Sequence, residues 1–384
     1  MHVPEGWRLI KLGDLLSFKN GINADAGAYG VGTKFVNLLD IFNNKYLHYK
    51  DIVGKVNATD KQREDYSVKK GDILFNRTSE IREEIAFSSV YFDEKEAVFG
   101  GFVIRGRPEK KWIDKDYSIY AFRHEYFRNQ VVRMAQGAVR ANIGQKDLSV
   151  VNLLLPPIAE QEKIAEILST WDHAIEQTER LKANAETHKQ ALMQQLLTGK
   201  KRFPEFEGEW EEYRLGEIAE ITTGSSNRED SMEEGDFVFF DRSVDIRWSD
   251  KYLFDGEAII VPGEGQEFIP KYFNGKFDLH QRAYAIMGFI GASGEFLYYL
   301  LTYHKNYFSS QAVGSTVKSL RLPIFKKMKL TLPSFEEQRK IAAVLNRADR
   351  EIELLAQKLD HLKTEKRALM QQLLTGKRRV KVDG

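Results

Sequence analysis

The 384-residue chain contains no cysteine, which excludes a disulfide framework and any thiolate-held metal and suits a reducing cytoplasm. Its eight histidines are scattered, without the spacing of a metal-ligand set. No apolar run reaches membrane-spanning length, and Met1-His2-Val3-Pro4-Glu5-Gly6-Trp7 has neither a basic region nor an apolar stretch. A soluble, cytoplasmic protein with no membrane partner is expected. Charge of one sign is missing too: 57 basic residues face 56 acidic ones, a formal net charge of +1. That balance neither demands nor excludes nucleic acid, because a neutral protein can gather positive charge on one face. With 42% hydrophobic and 29% charged residues the composition is globular, and the length allows two or more domains with their own cores.

Catalytic signatures are scarce. Gly27-Ala28-Tyr29-Gly30-Val31-Gly32-Thr33-Lys34 has the glycine spacing of a phosphate-binding loop, but Thr33 and Lys34 stand in the reverse order. Gly263-Glu264-Gly265 opens a dinucleotide fingerprint whose third glycine is replaced by Phe268. Both are expected to be turns. Asp93-Glu94-Lys95-Glu96 is expected to be a charged turn rather than a nuclease carboxylate cluster. Leu155-Pro156-Pro157-Ile158 lacks the Asn or Asp and the aromatic that an adenine methyltransferase loop needs to hold a flipped base. No enzyme is read from these residues, and no cofactor or metal bound by this chain is expected.

What is present is a repeat. Ala-Leu-Met-Gln-Gln-Leu-Leu-Thr-Gly-Lys occupies residues 191–200 and returns at 368–377, a displacement of 177 residues (368 less 191). Followed backwards, Leu155-Pro156 matches Leu332-Pro333, Glu160-Gln161 matches Glu337-Gln338, and Lys163-Ile164-Ala165 matches Lys340-Ile341-Ala342. Each copy reads as one long helix. In the second, Ile341, Leu345, Ala348, Ile352, Leu355, Leu359, Leu362, Leu369 and Leu373 step by four and three, a heptad seam interrupted by Lys366. In the first, Ile164, Leu168, Trp171, Ile175, Leu192 and Leu196 mark the same seam, more polar at Thr178, Lys182 and Lys189. Ser334-Phe335-Glu336-Glu337 has the form of a capping box, and Gly199 and Gly376 stand where left-handed C-terminal caps belong. A solvated helix, a homodimer zipper and an intramolecular antiparallel pair all fit this pattern.

The repeat extends to Trp7, Leu12, Gly13 and Gly21, which return as Trp210, Leu215, Gly216 and Gly224 at a displacement of 203. The 26 additional residues of the first copy (203 less 177) fall mainly between Gly21 and Ile119, where the copies diverge. The chain divides into residues 1–156, 157–200, 201–332 and 333–384: domain, helix, domain, helix with a basic tail expected to fray. In the divergent parts Gly71-Asp72-Ile73-Leu74-Phe75 and residues 256–261 read as buried strands. Phe102-Val103-Ile104 and Tyr284-Ala285-Ile286 read as their partners. Residues 118–134 and 294–308 read as helical and rich in core aromatics.

Two divergent domains, each closed by Leu-Pro-(x)3-Glu-Gln-x-Lys-Ile-Ala and a long helix ending Gln-Gln-Leu-Leu-Thr-Gly-Lys, resemble the specificity subunit of type I restriction-modification enzymes. The resemblance covers essentially the whole chain and is most specific at residues 155–200 and 332–377. It implies an α+β fold in which two mixed α/β target-recognition domains are joined by two long helices. The helices would form an antiparallel coiled coil with an internal pseudo-two-fold repeat. Each domain would read one half of a split double-stranded DNA sequence. The helices would set the gap and dock two methyltransferase subunits, and restriction subunits would join that core. S-adenosylmethionine would sit on the methyltransferase partner, and ATP and Mg on the restriction partner.

Candidate DNA contacts are drawn from loop chemistry. Gln136, Arg140 and Asn142, and the corresponding Ser315, Thr316 and Lys318, join the last domain helix to the strand before the long helix, with Gly137 and Gly314 allowing close backbone approach. Asn76, Arg77, Thr78 and Ser79 are expected to form a polar tip after a strand. Arg242, Arg247 and Lys251 are basic residues interleaved with Trp248, and Lys326 and Lys327 could grip phosphates or line the wet face of an edge strand. Two other readings stay open. A non-enzymatic coiled-coil adaptor whose domains bind proteins would show no salt-dependent DNA binding. A self-contained nuclease or methyltransferase would act as the isolated chain.

Overall fold

The computed structural model describes residues 3–243 and 245–382. Met1 and His2, and Asp383 and Gly384 of the tail, lie outside the described residues. The chain divides into two compact units, Met1–Gln177 with Leu359–Gly384, and Thr178–Lys358. Each holds the beginning of one long helix and the end of the other.

In the first unit a five-stranded sheet runs in the order Leu16–Asn20, Val103–Pro108, Ile73–Asn76, Ser88–Tyr91, Tyr46–Leu47. Val103–Pro108 is antiparallel to Ile73–Asn76, the pairing expected from their apolar runs. A smaller sheet of Lys55–Val56, Tyr29–Val36, Ala97–Phe99 and Ser67–Val68 lies beside it in the same unit. Here one expectation is corrected. Only residues 26–28 of the glycine-rich stretch form a turn, and residues 29–36 are strand. Gly30 and Gly32 (φ +102° and +96°) absorb a register shift against Lys55–Val56 and distort the strand instead of ending it. Residues 118–134 are two helices, Lys115–Ala121 and Glu125–Met134, because His124 starts the second by accepting the Tyr126 N–H on Nδ1 (3.2 Å). Tyr117, Phe122 and Phe127 from these helices pack with Phe75 and Ile104 of the sheet, as core aromatics.

The second unit has a single six-stranded sheet: Glu220–Thr223, Ala283–Met287, Phe254–Pro262, Lys271–Leu279, Phe237–Phe240, Arg247–Ser249. Phe254–Pro262 and Ala283–Met287 are antiparallel partners, again as expected. Helices Gly294–Tyr303 and Lys305–Gln311 cover it through Phe296, Tyr299 and Phe308. Both units begin with the same ladder: Arg8–Lys11 on Asn152–Leu155, and Glu211–Arg214 on Lys329–Leu332.

The long helices are Ile158–Leu196 and Phe335–Leu373, 39 residues each. In the first unit Ile164 and Leu168 share an apolar cluster with Leu373 and Leu374; in the second, Met193 and Leu196 share one with Ile341 and Leu345. The start of each helix meets the end of the other, so the pair is antiparallel and formed within the chain. Ile164, Leu168, Leu196, Ile341, Leu345 and Leu373 are buried, because helix pair and domain cover them together. Trp171, Ile175, Leu192, Ile352, Leu355, Leu359, Leu362 and Leu369 are only half-buried, since a two-helix seam shields a side chain on one side.

Two of the seam's charged intrusions, Lys366 and Lys189, have carboxylate partners that correspond across the 177-residue repeat. Lys366 donates to Asp172 (2.6 Å) in the first unit, and Lys189 to Asp349 (2.5 Å) in the second. Tyr120 and Tyr299 add O–H donors to the same two carboxylates at 2.7 Å each. Burial by itself would raise the Asp172 carboxyl, but donors from Lys366, Lys45 and Tyr120 together hold it below the ordinary carboxylate value.

The repeated Glu-Gln pair explains its own presence. Gln161 Oε1 accepts the Asp114 N–H and its Nε2 donates to the Trp112 and Pro156 carbonyls, all at 2.8 Å. Gln338 does the same with the Ser293 N–H (2.9 Å) and the Gly291 and Pro333 carbonyls (3.3 and 2.9 Å). Glu337 takes both forks of Arg202 (3.0 and 2.6 Å), and Glu160 takes those of Arg379, 177 residues on from Arg202. The basic tail is therefore not frayed: Arg379 also donates to the Glu5 carbonyl (2.8 Å), and Val380 packs on the core. Gly199 and Gly376 cap the helices at φ +69° and +68°, stacked against Trp210 and Trp7.

Candidate nucleic-acid interface

At one end of each sheet a short loop folds back on a strand end. Gln136 and Asn142 exchange backbone hydrogen bonds (2.9 and 2.8 Å), and so do Val313 and Ser319 (3.0 and 2.8 Å). Between them the chain turns within a few residues, which requires glycine. Gly137 and Gly314 have φ of +103° and +124°, and an added Cβ would lie 2.2 Å from the Arg140 or Val317 carbonyl oxygen. Gln136, Arg140, Asn142, Ser315, Thr316 and Lys318 are all exposed on these loops. The loops are fixed from below: Ala141–Asn142 pairs with Thr78–Ser79, and Lys318–Ser319 with Glu264–Gly265.

That pairing corrects two expectations. Residues 76–79 are not an exposed tip. The strand ends at Asn76 and a second short strand, Thr78–Ser79, follows on the pairing with Ala141–Asn142, so Asn76, Thr78 and Ser79 are buried, and Arg77 is half-buried with Nη1 on the Gly101 carbonyl (3.5 Å). Gly263-Glu264-Gly265 is not a free turn but the strand end on which the second loop rests. Asn76 Oδ1, buried, and Asp241 Oδ2, likewise buried, have no hydrogen-bond partner among the described residues.

The sites differ in charge. In the first unit Arg140 reaches across to Glu80 (3.0 Å), and the pair walls a cleft of about 320 Å³ with Thr78, Ser79 and the exposed ring of Phe102. In the second, Glu264 gathers two guanidinium groups: Arg282 Nη1 donates to both of its oxygens (2.9 and 2.8 Å), and Arg242 stands 3.8 Å away. Ser319 Oγ is 3.4 Å from the same carboxylate. Burial holds the His280 imidazole below its ordinary value, so it is neutral near pH 7 and its Nδ1 accepts the Arg282 N–H (3.0 Å).

Of the expected contacts, the structure brings Arg242 to the loop bearing Ser315, Thr316 and Lys318, through Glu264. It does not bring the others there. Arg247 Nε is held by Ser231 Oγ (2.6 Å) and Lys251 lies 3.9 Å from Asp230, beside the outer strand Arg247–Ser249. Lys326 and Lys327 are exposed where helix Leu322–Lys326 ends, against Gly216, and not on an edge strand. Glu80, Phe102, Glu264, His280 and Arg282 were not singled out as site residues. Their signal is weak, because they lie in the diverged segments where no constant displacement aligns the copies.

Residues 4–187 and 207–364 each match the model of the type I restriction modification DNA specificity domain. The chain is similar to the type I restriction enzyme MjaVIII specificity subunit of Methanocaldococcus jannaschii, 25% identical over 99% of this chain and 95% of that one. Its fold is similar to the crystal structure of the type I restriction-modification S subunit from M. genitalium, with TM-score 0.64 at 16% identity over 97% and 98% of the two chains. It is also similar to the HsdS subunit from Thermoanaerobacter tengcongensis, with TM-score 0.53 at 17% identity over 98% and 99%.

Proposed function

The chain belongs to the type I restriction modification DNA specificity family, and from that premise we propose that it is the DNA-recognition subunit of a type I restriction-modification complex. It is not an enzyme and holds no cofactor of its own. Each unit reads one half of a split double-stranded target with the loop cluster at its sheet end. The paired helices set the spacer and dock two methyltransferase subunits, which carry S-adenosylmethionine. Restriction subunits with ATP and Mg complete the assembly, in the cytoplasm. Along the chain, residues 1–156 and 201–332 serve as the target-recognition domains, and 157–200 and 333–384 as the conserved helices.

The observation that carries this reading is that the family domain is matched twice, once in each repeat, while the loop clusters of the two repeats differ in chemistry. Equal frames offer equal seats to two copies of one partner. Unequal tips, Arg140 and Phe102 against Arg242 and Arg282, ask for two different half-targets. The frame residues that recur, Glu160, Gln161, Asp172 and Lys189 with their counterparts, are all spent on internal contacts, so recognition falls to the diverged parts.

The test is the adenine methylation pattern of the host genome, read base by base with and without this chain. One split motif should lose its methylation on deletion, and exchanging residues 1–150 should change only one half of it. A pattern unchanged by deletion, with the methyltransferase present and active, would refute the reading.

A further inference from the structure

The two units carry different side chains at one point of the fold. In the first, the Arg77 N–H donates to the Phe102 carbonyl (2.8 Å); in the second, the Gly263 N–H donates to the Arg282 carbonyl (2.8 Å). The next residue, Thr78 or Glu264, faces Asn142 or Ser319 in the short pairing that carries the loop. Phe102 and Arg282 are thus equivalent, although no constant displacement relates them. Both stand out from the protein: Phe102 is 60% exposed, and the Arg282 side chain 58%.

We propose that this position reads a base in each unit, Arg282 a guanine in one half-target and Phe102 a thymine methyl group in the other; the inference rests on the DNA-recognition reading above. Arg282 is held as a fork. Glu264 grips Nη1 from one side, while Nε and Nη2 have no hydrogen-bond partner among the described residues. The backbone behind it is pinned by His280 Nδ1 and the Gly263 N–H. A Cβ at Gly263 would come 2.6 Å from the Arg282 carbonyl oxygen, so only glycine permits the approach. The Nε–H and Nη2–H, parallel in the guanidinium plane, match the O6 and N7 acceptors of guanine. A phosphate could take the same two donors, but the Glu264 carboxylate bonded to Nη1 opposes an anion there.

Phe102 offers no donor. The ring stands 60% exposed on the rim of a cleft whose other walls set Leu38, Phe42 and Ile81 beside Thr78, Glu80 and Arg140, and a ring so exposed gains little from folding. It can recognise only an apolar feature in the groove, and the thymine methyl is the one the major groove displays.

The experiment uses the full chain with its methyltransferase partner. Random duplexes are selected to a consensus on the wild-type complex, then remade with single base changes and titrated at two salt concentrations. Arg282→Ala should lower the preference for guanine at one position of one half-target about ten-fold, leaving the other half untouched. Arg282→Lys should keep the salt dependence yet lose that preference. Phe102→Ala should relax one position in the other half. Weakening spread evenly over all sequences with a shallower salt slope would make Arg282 a phosphate contact and overturn the inference, as would unchanged preferences. A wild-type complex that selects no split consensus would instead sink the DNA-recognition reading on which the inference stands.

Discussion

Gln161→Glu exchanges one atom at the latch that joins the first long helix to its domain. The acceptor for the Asp114 N–H survives, but Nε2 becomes an anionic oxygen facing the Trp112 and Pro156 carbonyls. Gln161 is fully buried. A carboxyl placed there is desolvated and lacks donors on one side, so its pKa rises by about 3 units. At about 1.36 kcal/mol per unit, the ionised form is disfavoured by about 4 kcal/mol. The first unit has about 200 residues, for which about 4 kcal/mol lowers the melting temperature by roughly 10 °C. The folded state binds the proton more tightly than the unfolded one. Stability is therefore intact below the unfolded glutamate value of about 4.3 and falls as pH rises through the folded value. Thermal unfolding of variant and wild type at about pH 8 and about pH 5 reads this difference directly. The deficit should be large at the higher pH and shrink at the lower. Equal deficits at both, or none at the higher, would refute the role assigned to the amide. Gln338→Glu should behave alike in the second unit.

Wild-type stability should be lost as pH falls below the ordinary aspartate value of 3.8, through the depressed folded value of Asp172. Asp172→Asn should flatten that part of the acid-unfolding curve. Trp7 Nε1 donates to Glu160 (3.3 Å) whereas the buried Trp210 Nε1 has no partner among the described residues. Trp7→Phe should thus cost about 1 kcal/mol and Trp210→Phe nothing, or even stabilise, in chemical denaturation. Gly137→Ala forces a side chain into positive φ and against Arg140, at a cost of about 1–3 kcal/mol. Limited proteolysis should find the 136–142 loop opened, and binding should weaken for one half-target alone. Gly314→Ala should do so for the other.

Much of the frame was legible because it is written twice. Helix seams, caps and the Glu-Gln latch recur at one displacement, and the unbroken apolar runs at 73–75 and 258–261 marked two buried strands with their partners. The sheet ends were harder. Whether residues 76–79 are exposed depends on the short strand Thr78–Ser79, and that depends on its pairing with Ala141–Asn142, more than sixty residues away. Gly263-Glu264-Gly265 resembles a turn by composition, yet its glycine serves close approach to Arg282 and its glutamate serves two arginines. Such contacts join segments that diverged between the copies, so neither periodicity nor repetition could align them. The tail misled because basic residues at a chain's end usually fray, and nothing local to Arg379 announces Glu160.

The aspartate–lysine pairs have a further consequence. Each long helix carries its aspartate early and its lysine late: Asp172 before Lys189, Asp349 before Lys366. Laid side by side in parallel, two such helices would set aspartate against aspartate and lysine against lysine. Head to tail, both charges are neutralised. The seam is therefore a polarity filter, which rejects a parallel zipper whatever its apolar content. It is blind to ownership, however. Helices from two neighbouring copies satisfy it as well as two from one chain, and only the higher local concentration of a covalently attached partner decides between them.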